Sequence, residues 1–310
     1  MPAPLRVATR GSSLALAQTR FVLAALDLAA RDLAALDVAA EPLVVETTGD
    51  QRADVPIHSM GGTGVFVKEI EEALLDGRAD AAVHSAKDLP ATVPDGLVIA
   101  AVPDRADPRD ALVGSTLEEI PTGGRVGTGS VRRRSQLASL RPDLTFGNLR
   151  GNIGTRLERA VDFDAVVVAA AALDRLDRSD AASERLDPHD MLPQVGQGAL
   201  AVECRAGDDA TREALSAIDD PALHTVLDAE RAFLAELGGG CNLPVGALAE
   251  ETSDGTVTLR ALLASLDGHI VVRTECSGTD PEVIGVEAAE RLLHDGGRRI
   301  LDDAGLEVRA

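Results

Sequence analysis

Arg125-Val126-Gly127-Thr128-Gly129-Ser130 reads as a short strand and a turn, with a helix starting at Val131. It echoes Arg6-Val7-Ala8-Thr9-Arg10-Gly11-Ser12, which gives the same order: Arg-Val-x-Thr, a turn, a serine, then a helix from about Leu14. A second echo follows each of these. Asp80-Ala81-Ala82-Val83 and Asp164-Ala165-Val166-Val167 are both strands preceded by a helix. This order predicts two similar α/β domains facing each other, with strand-to-helix turns at a shared cleft. Ligands bind at the carboxyl ends of strands in such sheets. A turn of this kind also leaves helix N–H groups and the positive dipole end free for an anion.

On either side of these turns, Leu43 to Thr47, Ala81 to His84, Leu97 to Val102 and Ala199 to Cys204 read as strands, and Phe66 to Leu75 as a helix ended by Gly77. Residues 104–110 read as a crossover between domains and 193–198 as the return. Residues 49–64 are polar and without period, either a lid or a plain connector. From Pro221 the texture changes. A helix from about Ala222 to Leu237 leads into Gly238-Gly239-Gly240-Cys241. Three strands joined by Asp-Gly turns follow, then helices over 282–293 and 298–303.

The chain has 310 residues and a net charge of −21, with 45% hydrophobic residues and 2% aromatics, and no Trp or Tyr. That charge disfavours nucleic acid and anionic membranes as partners, and few aromatics are available to stack on bases. The 3 cysteines are far apart and the 6 histidines show no ligand spacing, so neither disulfides nor a metal is expected. The N-terminus lacks an apolar signal core and the longest apolar run, Ala165 to Leu173, is too short to span a bilayer, so a cytoplasmic protein is expected.

Candidate chemistry clusters at the turns. Cys241, on a glycine-rich loop, is either an accessible nucleophile or attachment point, or simply a turn cysteine. Lys87 and Asp88 follow the strand ending at His84. Asp88 is either a helix cap or a carboxylate that passes a proton. His84 alone reads as a structural hydrogen-bonder. Arg132-Arg133-Arg134 is either a solvated helix face or an anion site. Arg10, Arg150, Arg156 and Arg175 recur at turns of an acidic chain, which favours anions. A dinucleotide fingerprint fails because Arg132 holds the place of the third glycine. A cysteine hydrolase lacks its local signature, with only Asn242 beside Cys241.

Eight segments together resemble one family. They are Arg6-Val-Ala-Thr-Arg-Gly-Ser12, Gly61-Gly-Thr-Gly-Val-Phe-Val-Lys-Glu69, Ala82-Val-His-Ser-Ala-Lys-Asp-Leu-Pro90, Asp107-Pro-Arg-Asp110, Gly127-Thr-Gly-Ser-Val-Arg-Arg133, Leu149-Arg-Gly-Asn-Ile-Gly-Thr-Arg156, Gln194-Val-Gly-Gln-Gly198 and Gly239-Gly-Cys-Asn-Leu-Pro-Val-Gly246. In this order they resemble the porphobilinogen deaminase (hydroxymethylbilane synthase) family. The resemblance implies two α/β domains like type II periplasmic binding proteins, residues 1–103 with 198–220 and residues 104–197, plus an α+β domain over 221–310. It implies a transferase that condenses four porphobilinogen molecules with loss of ammonia and releases hydroxymethylbilane. It also implies one dipyrromethane cofactor joined to Cys241 by a thioether. Asp88, Lys87 and Arg10 would be catalytic. Lys87, Asp88, Ser85, Thr128, Ser130, Arg132, Arg133 and Gly151 would hold the cofactor. Arg10, Ser12, Gln18, Phe66, Arg150, Arg156 and Arg175 would hold substrate. Two positions depart from the family pattern: Thr63 stands where a lid lysine is expected, and Gly129 where a serine is. The sequence reading is therefore of a monomer acting on a small molecule; its alternative is a non-catalytic two-lobed anion-binding protein.

Overall fold

The computed structural model describes residues 4–32, 39–47, 67–239 and 243–305. Among these, thirteen strands run in chain order: β1 Leu5–Thr9, β2 Ala40–Val44, β3 Ala81–Ser85, β4 Leu97–Ala101, β5 Asp110–Val113, β6 Arg125–Gly127, β7 Thr145–Gly147, β8 Ala165–Ala169, β9 Glu184–Arg185, β10 Leu200–Arg205, β11 Val245–Glu251, β12 Val257–Ala264 and β13 Val271–Gly278. The chain divides into two compact units, Met1–Arg105 with Ala199–His224, and Ala106–Gly198 with Thr225–Ala310.

The first unit holds a five-stranded sheet in the order β2-β1-β3-β10-β4. β1 is parallel to β2 and β3, whereas β10 runs antiparallel between β3 and β4. Helices cover both faces, which is why the central strands are nearly continuous apolar runs. Val7, Ala81, Val83 and Val202 pack with Val22 and Leu26 of the Ser13–Asp32 helix. Ala8 and Ala82, on the other face, pack with Ile70, Ala73 and Leu74 of the Lys68–Leu75 helix. By length and composition Ser13–Arg31 could cross a bilayer, yet it buries Gln18, Thr19, Val22 and Leu26. β2 starts and ends three residues before the expected 43–47. It is an edge strand, and an edge tolerates Pro42, which has no N–H to give.

In the second unit a five-stranded sheet has the order β7-β6-β8-β5-β9. Position by position it repeats the first: β6 is parallel to β7 and β8, and β5 lies antiparallel in the fourth place. The repeat extends to one hydrogen-bonded clip. Asp80 Oδ2 accepts the Arg6 N–H at 2.9 Å, and Asp164 Oδ2 accepts the Arg125 N–H at 2.7 Å. In return the Asp80 N–H donates to the Arg6 carbonyl at 2.9 Å and the Asp164 N–H to the Arg125 carbonyl at 3.0 Å. The Arg-Val-x-Thr echo thus marks the same place in both sheets.

The second unit also contains the antiparallel sheet β11-β12-β13. It buries Phe233 and Leu237, at the end of the Pro221–Glu236 helix, against Ile284, Ala288 and Leu292 of the Pro281–Leu292 helix. Two contacts seat this sheet within its unit. The Ala247 N–H donates to the Pro193 carbonyl at 3.0 Å. Gly268, at φ +76 in the β12–β13 turn, lies so close to the Val131–Leu140 helix that a Cβ would strike the Ser135 carbonyl. Gly268→Ala should therefore cost about 1–3 kcal/mol, from strain and overpacking together. An unchanged urea midpoint would show that the turn has room to spare.

Candidate active site

β1 and β3 run parallel and end side by side, so their exits share one edge of the sheet. The chain leaves β1 through Arg10-Gly11-Ser12. The Ser12 Oγ accepts the Ala15 N–H at 3.3 Å, capping the Ser13–Asp32 helix. It leaves β3 through the single turn Ala86–Asp88. Between these exits and Val67 and Ile70 lies a cavity of about 40 Å³, lined also by Arg10, Ser12, Gln18, His84, Ser85 and Asp88. Gln18 Nε2 donates to Ser85 Oγ at 2.8 Å, which fixes the polar wall. Arg10, Lys87 and Asp88 are half-buried. One cation, several neutral hydrogen-bonders and one carboxylate thus meet at helix N-termini, where an anion is favoured.

Sequence reasoning did not anticipate the partner of His84. Its Nε2 lies 3.0 Å from Glu203 Oε2, with side chains 3% and 0% exposed, although the angles are not those of a formed hydrogen bond. The register sets Ala201 opposite His84, which puts Glu203 one pleat along the same face. An acid inside the apolar run Leu200-Ala-Val-Glu-Cys204 was the available signal.

The equivalent turn of the second unit is built differently. The Thr128 N–H donates to the Gly147 carbonyl at 2.9 Å, and the Ser130 N–H to Thr128 Oγ1 at 3.2 Å. Ser130 Oγ accepts the Arg133 N–H at 3.4 Å as N-cap of the Val131–Leu140 helix. Arg132 and Arg133 are not on a solvated face: both are buried around Asp110, whose side chain is 0% exposed. Arg133 gives Nε to Asp110 Oδ1 at 2.9 Å and Nη1 to the Val167 carbonyl at 3.0 Å, and its Nη2 lies 2.7 Å from Oδ1 as an ion pair. Arg132 gives only Nη1, to Asp110 Oδ2 and to the Leu192 carbonyl, each at 2.7 Å. Its Nε and Nη2, one edge of the guanidinium fork, are buried and make no hydrogen bond among the described residues. One carboxylate against two guanidiniums leaves a positive charge over. Two parallel donors with that charge suit a carboxylate taken in two-point fashion.

Nearby, Gly151 holds φ +108, which an L side chain rarely adopts. Arg156 Nε donates to its carbonyl at 2.9 Å. Arg175 Nη2 donates to the Gly198 carbonyl at 2.8 Å. Arg150, Arg156 and Arg175 are all half-buried. Cys241, Phe66 and residues 49–64 lie outside the described residues. Among the described residues no group of three His, Cys, Asp or Glu could hold a metal ion.

The chain thus has two α/β units, each with a strand that runs into a serine-capped helix N-terminus suited to an anion, and a small antiparallel sheet in the second. Two family models match the chain, "Porphobilinogen deaminase, dipyromethane cofactor binding domain" over residues 5–213 and "Porphobilinogen deaminase, C-terminal domain" over residues 225–294. The chain is 46% identical over 306 residues to the porphobilinogen deaminase of Syntrophobacter fumaroxidans, covering 96% of this chain and 97% of that one. It is 48% identical over 303 residues to that of Roseiflexus castenholzii, covering 96% and 98%. Among solved structures, a periplasmic binding protein of Salmonella typhimurium aligns at a TM-score of 0.39 and 14% identity, over 74% of this chain and 94% of that one. The chain belongs to the porphobilinogen deaminase family, transferases of tetrapyrrole biosynthesis whose substrate is porphobilinogen. It has that family's dipyrromethane-binding domain. The alternative of a non-catalytic binding protein is set aside by full-length identity to these enzymes.

The turn before β5 has its own titration. Burial would raise the Asp107 carboxyl, but hydrogen bonds from Arg109 and Arg185 outweigh it and hold the pKa at about 2, below the ordinary 3.8. Burial likewise opposes ionisation of Asp110, and the charges and hydrogen bonds of Arg132 and Arg133 hold its pKa far below the usual range. Both folded values are depressed, so the stabilisation is complete above about pH 4 and is lost as pH falls through about 2. Unfolding free energy measured against pH should drop across that window, and Asp107→Asn should flatten part of the drop. Identical acid profiles would remove Asp107 from this role.

Proposed function

We propose that the reacting pyrrole of porphobilinogen sits at the exits of β1 and β3, with Asp88 as the acid–base group. The observation that carries this reading is the convergence of Arg10, Ser12, Gln18, Ser85 and Asp88, from separate stretches of sequence, on one pocket. Porphobilinogen carries two carboxylates, a pyrrole N–H and an aminomethyl group. Its loss of ammonia leaves the ring positive. A carboxylate facing the pyrrole N–H stabilises that charge and moves the proton. Arg10 and Ser12, at the helix N-terminus, receive a ring carboxylate, and Lys87 adds a second cation beside Asp88.

In the same reading Cys241 carries the dipyrromethane through a thioether. When bound, that group supplies the pyrrole terminus to which incoming units are joined. The open fork of Arg132 suits one of its carboxylates. Arg133, Thr128, Ser130, Ser85 and Gly151 complete its cradle. Arg150, Arg156 and Arg175 take carboxylates of the incoming and growing chain, Phe66 stacks on a pyrrole, and residues 49–64 act as a lid that keeps water from the charged ring. The three-part division 1–103 with 198–220, 104–197 and 221–310 is the functional one in this reading, and the enzyme works as a cytoplasmic monomer.

With no Trp or Tyr, the chain is nearly transparent in the near ultraviolet, so an attached pyrrole is easy to see. Intact mass should show a two-pyrrole adduct that Cys241→Ser abolishes. A folded wild type that stays unmodified after incubation with porphobilinogen would overturn the attachment. Asp88→Ala should keep substrate binding and lose about 100-fold or more in turnover; near-normal turnover would take the acid–base role from Asp88.

A further inference from the structure

We infer that His84 is the group to which Asp88 passes its proton between cycles, and that Glu203 is the positioning residue that readies His84 to take it. The inference rests on the acid–base role proposed above for Asp88. Neither residue is among the groups assigned to the cofactor or the substrate. His84 is the penultimate residue of β3 and lines the same pocket as Asp88. By the pleat it shares a face with Ala82. That face is mostly apolar: Ala8 and Ala82 pack there with Ile70, Ala73 and Leu74 of the Lys68–Leu75 helix. Into this layer β10 sends Glu203, fully buried. His84 is its one basic partner among the described residues, with Nε2 3.0 Å from Oε2. Neither carboxylate oxygen has a formed hydrogen bond there.

Stability gives no reason for such a pair. Two apolar side chains of similar size would hold the layer as well or better, because burying an ion pair costs about what its attraction returns. Proton transfer does give a reason. With Nε2 set against the carboxylate, the neutral imidazole carries its proton on Nε2 and leaves Nδ1 to accept another. Glu203 then stands as counter-ion to the imidazolium. The other charged groups on the elements around His84 are Arg10 and Asp88, on the pocket wall, and the buried Glu71 of the covering helix. The cavity that His84 and Asp88 share, about 40 Å³, has room for a water and polar walls to hold it.

The reaction gives this pair a task. Each condensation releases ammonia, which takes the C–N electron pair. It also releases a proton from the ring carbon that forms the new bond, and the C–H pair stays in that ring. Asp88 receives this proton and must lose it before the next cycle. An O–H bond breaks at Asp88 and an N–H bond forms at His84 Nδ1, through the water. The proton then joins ammonia as ammonium, and both residues are restored.

Two measurements on the full-length chain test this. The first uses isotope-labelled histidine and nitrogen NMR, with His84 assigned by the signals missing in His84→Gln. The neutral ring, reached by raising the pH, should hold its proton on Nε2, and Glu203→Gln should lose that preference. A proton on Nδ1 in the wild type overturns the inference. The second is turnover of porphobilinogen. Glu203→Gln and His84→Gln should each lower kcat about 10-fold, the scale of a hydrogen bond to a charged group, and leave KM nearly unchanged. Each should also raise the solvent deuterium isotope effect on kcat, because unloading Asp88 becomes the slow step. The two changes together should be no slower than either alone. Should the single variants not fold, His84→Leu with Glu203→Leu, which leaves no polar group at either position, carries the same comparison. Wild-type kcat in the variants overturns the inference. So does a lowered kcat with an unchanged isotope effect, which would mean that the pair acts only through the fold. Near-normal turnover in Asp88→Ala overturns the acid–base reading and this inference together; lost turnover there beside unaffected His84 and Glu203 variants overturns this inference alone.

Discussion

A carboxylate removed entirely from water dictates much of the second unit. Asp110 opens β5 and is reached by Arg132 and Arg133 from one helix and by Gln197 from the 194–198 turn. Leu192, just before that turn, accepts from both Arg132 and Gln136 through its carbonyl. Pro193 next to it accepts from Ala247 of β11. Strand, helix, turn and C-terminal sheet therefore share one set of polar contacts. Such sets are unforgiving: removing one partner of a buried charge costs about 3–5 kcal/mol, because the charge that remains is uncompensated. The cluster fixes the geometry of its neighbours more than it adds net stability.

The two five-stranded sheets are the same scaffold given different chemistry. Both clip the first strand to the third through an aspartate that accepts a backbone N–H, Asp80 in one and Asp164 in the other. Both send a strand into a serine-capped helix, at Ser12 and at Ser130. The turn after β3 brings an acid, Asp88, to its pocket, whereas the second unit places arginines at its turns. The shared order of strands does not by itself fix what either turn does; that depends on the side chains it carries.

Local pattern was enough for much of the architecture. β1, β3, the Val131–Leu140 helix and the three C-terminal strands were legible because period, capping serines and Asp-Gly turns are short-range signals. β5 was hidden, since Asp107-Pro-Arg-Asp110 reads as a polar connector and only pairing with β8 makes a strand of Asp110–Val113. β7 and β9, three and two residues long, are too short to show a period. The turn residues Arg10, Ser12, Ser85 and Asp88 could be named from sequence, and their gathering in one pocket followed from the parallel pairing of β1 and β3. The burial of Arg132 and Arg133 could not be read, because three consecutive arginines resemble a wetted surface until a distant Asp110 is seen between them. The same holds for His84 and Glu203, which are adjacent only through strand pairing.

The fourth strand of the first sheet also sets a timetable for synthesis. β10 lies between β3 and β4, yet the ribosome makes it only after residues 106–198 have been added. At typical translation speeds that interval is on the order of 5–20 s. Throughout it, β3 and β4 have no neighbour on the side that β10 will occupy, and their amide groups and apolar edges are open to other chains. A nascent polypeptide of this design has reason to engage a chaperone early, well before its last domain leaves the exit tunnel.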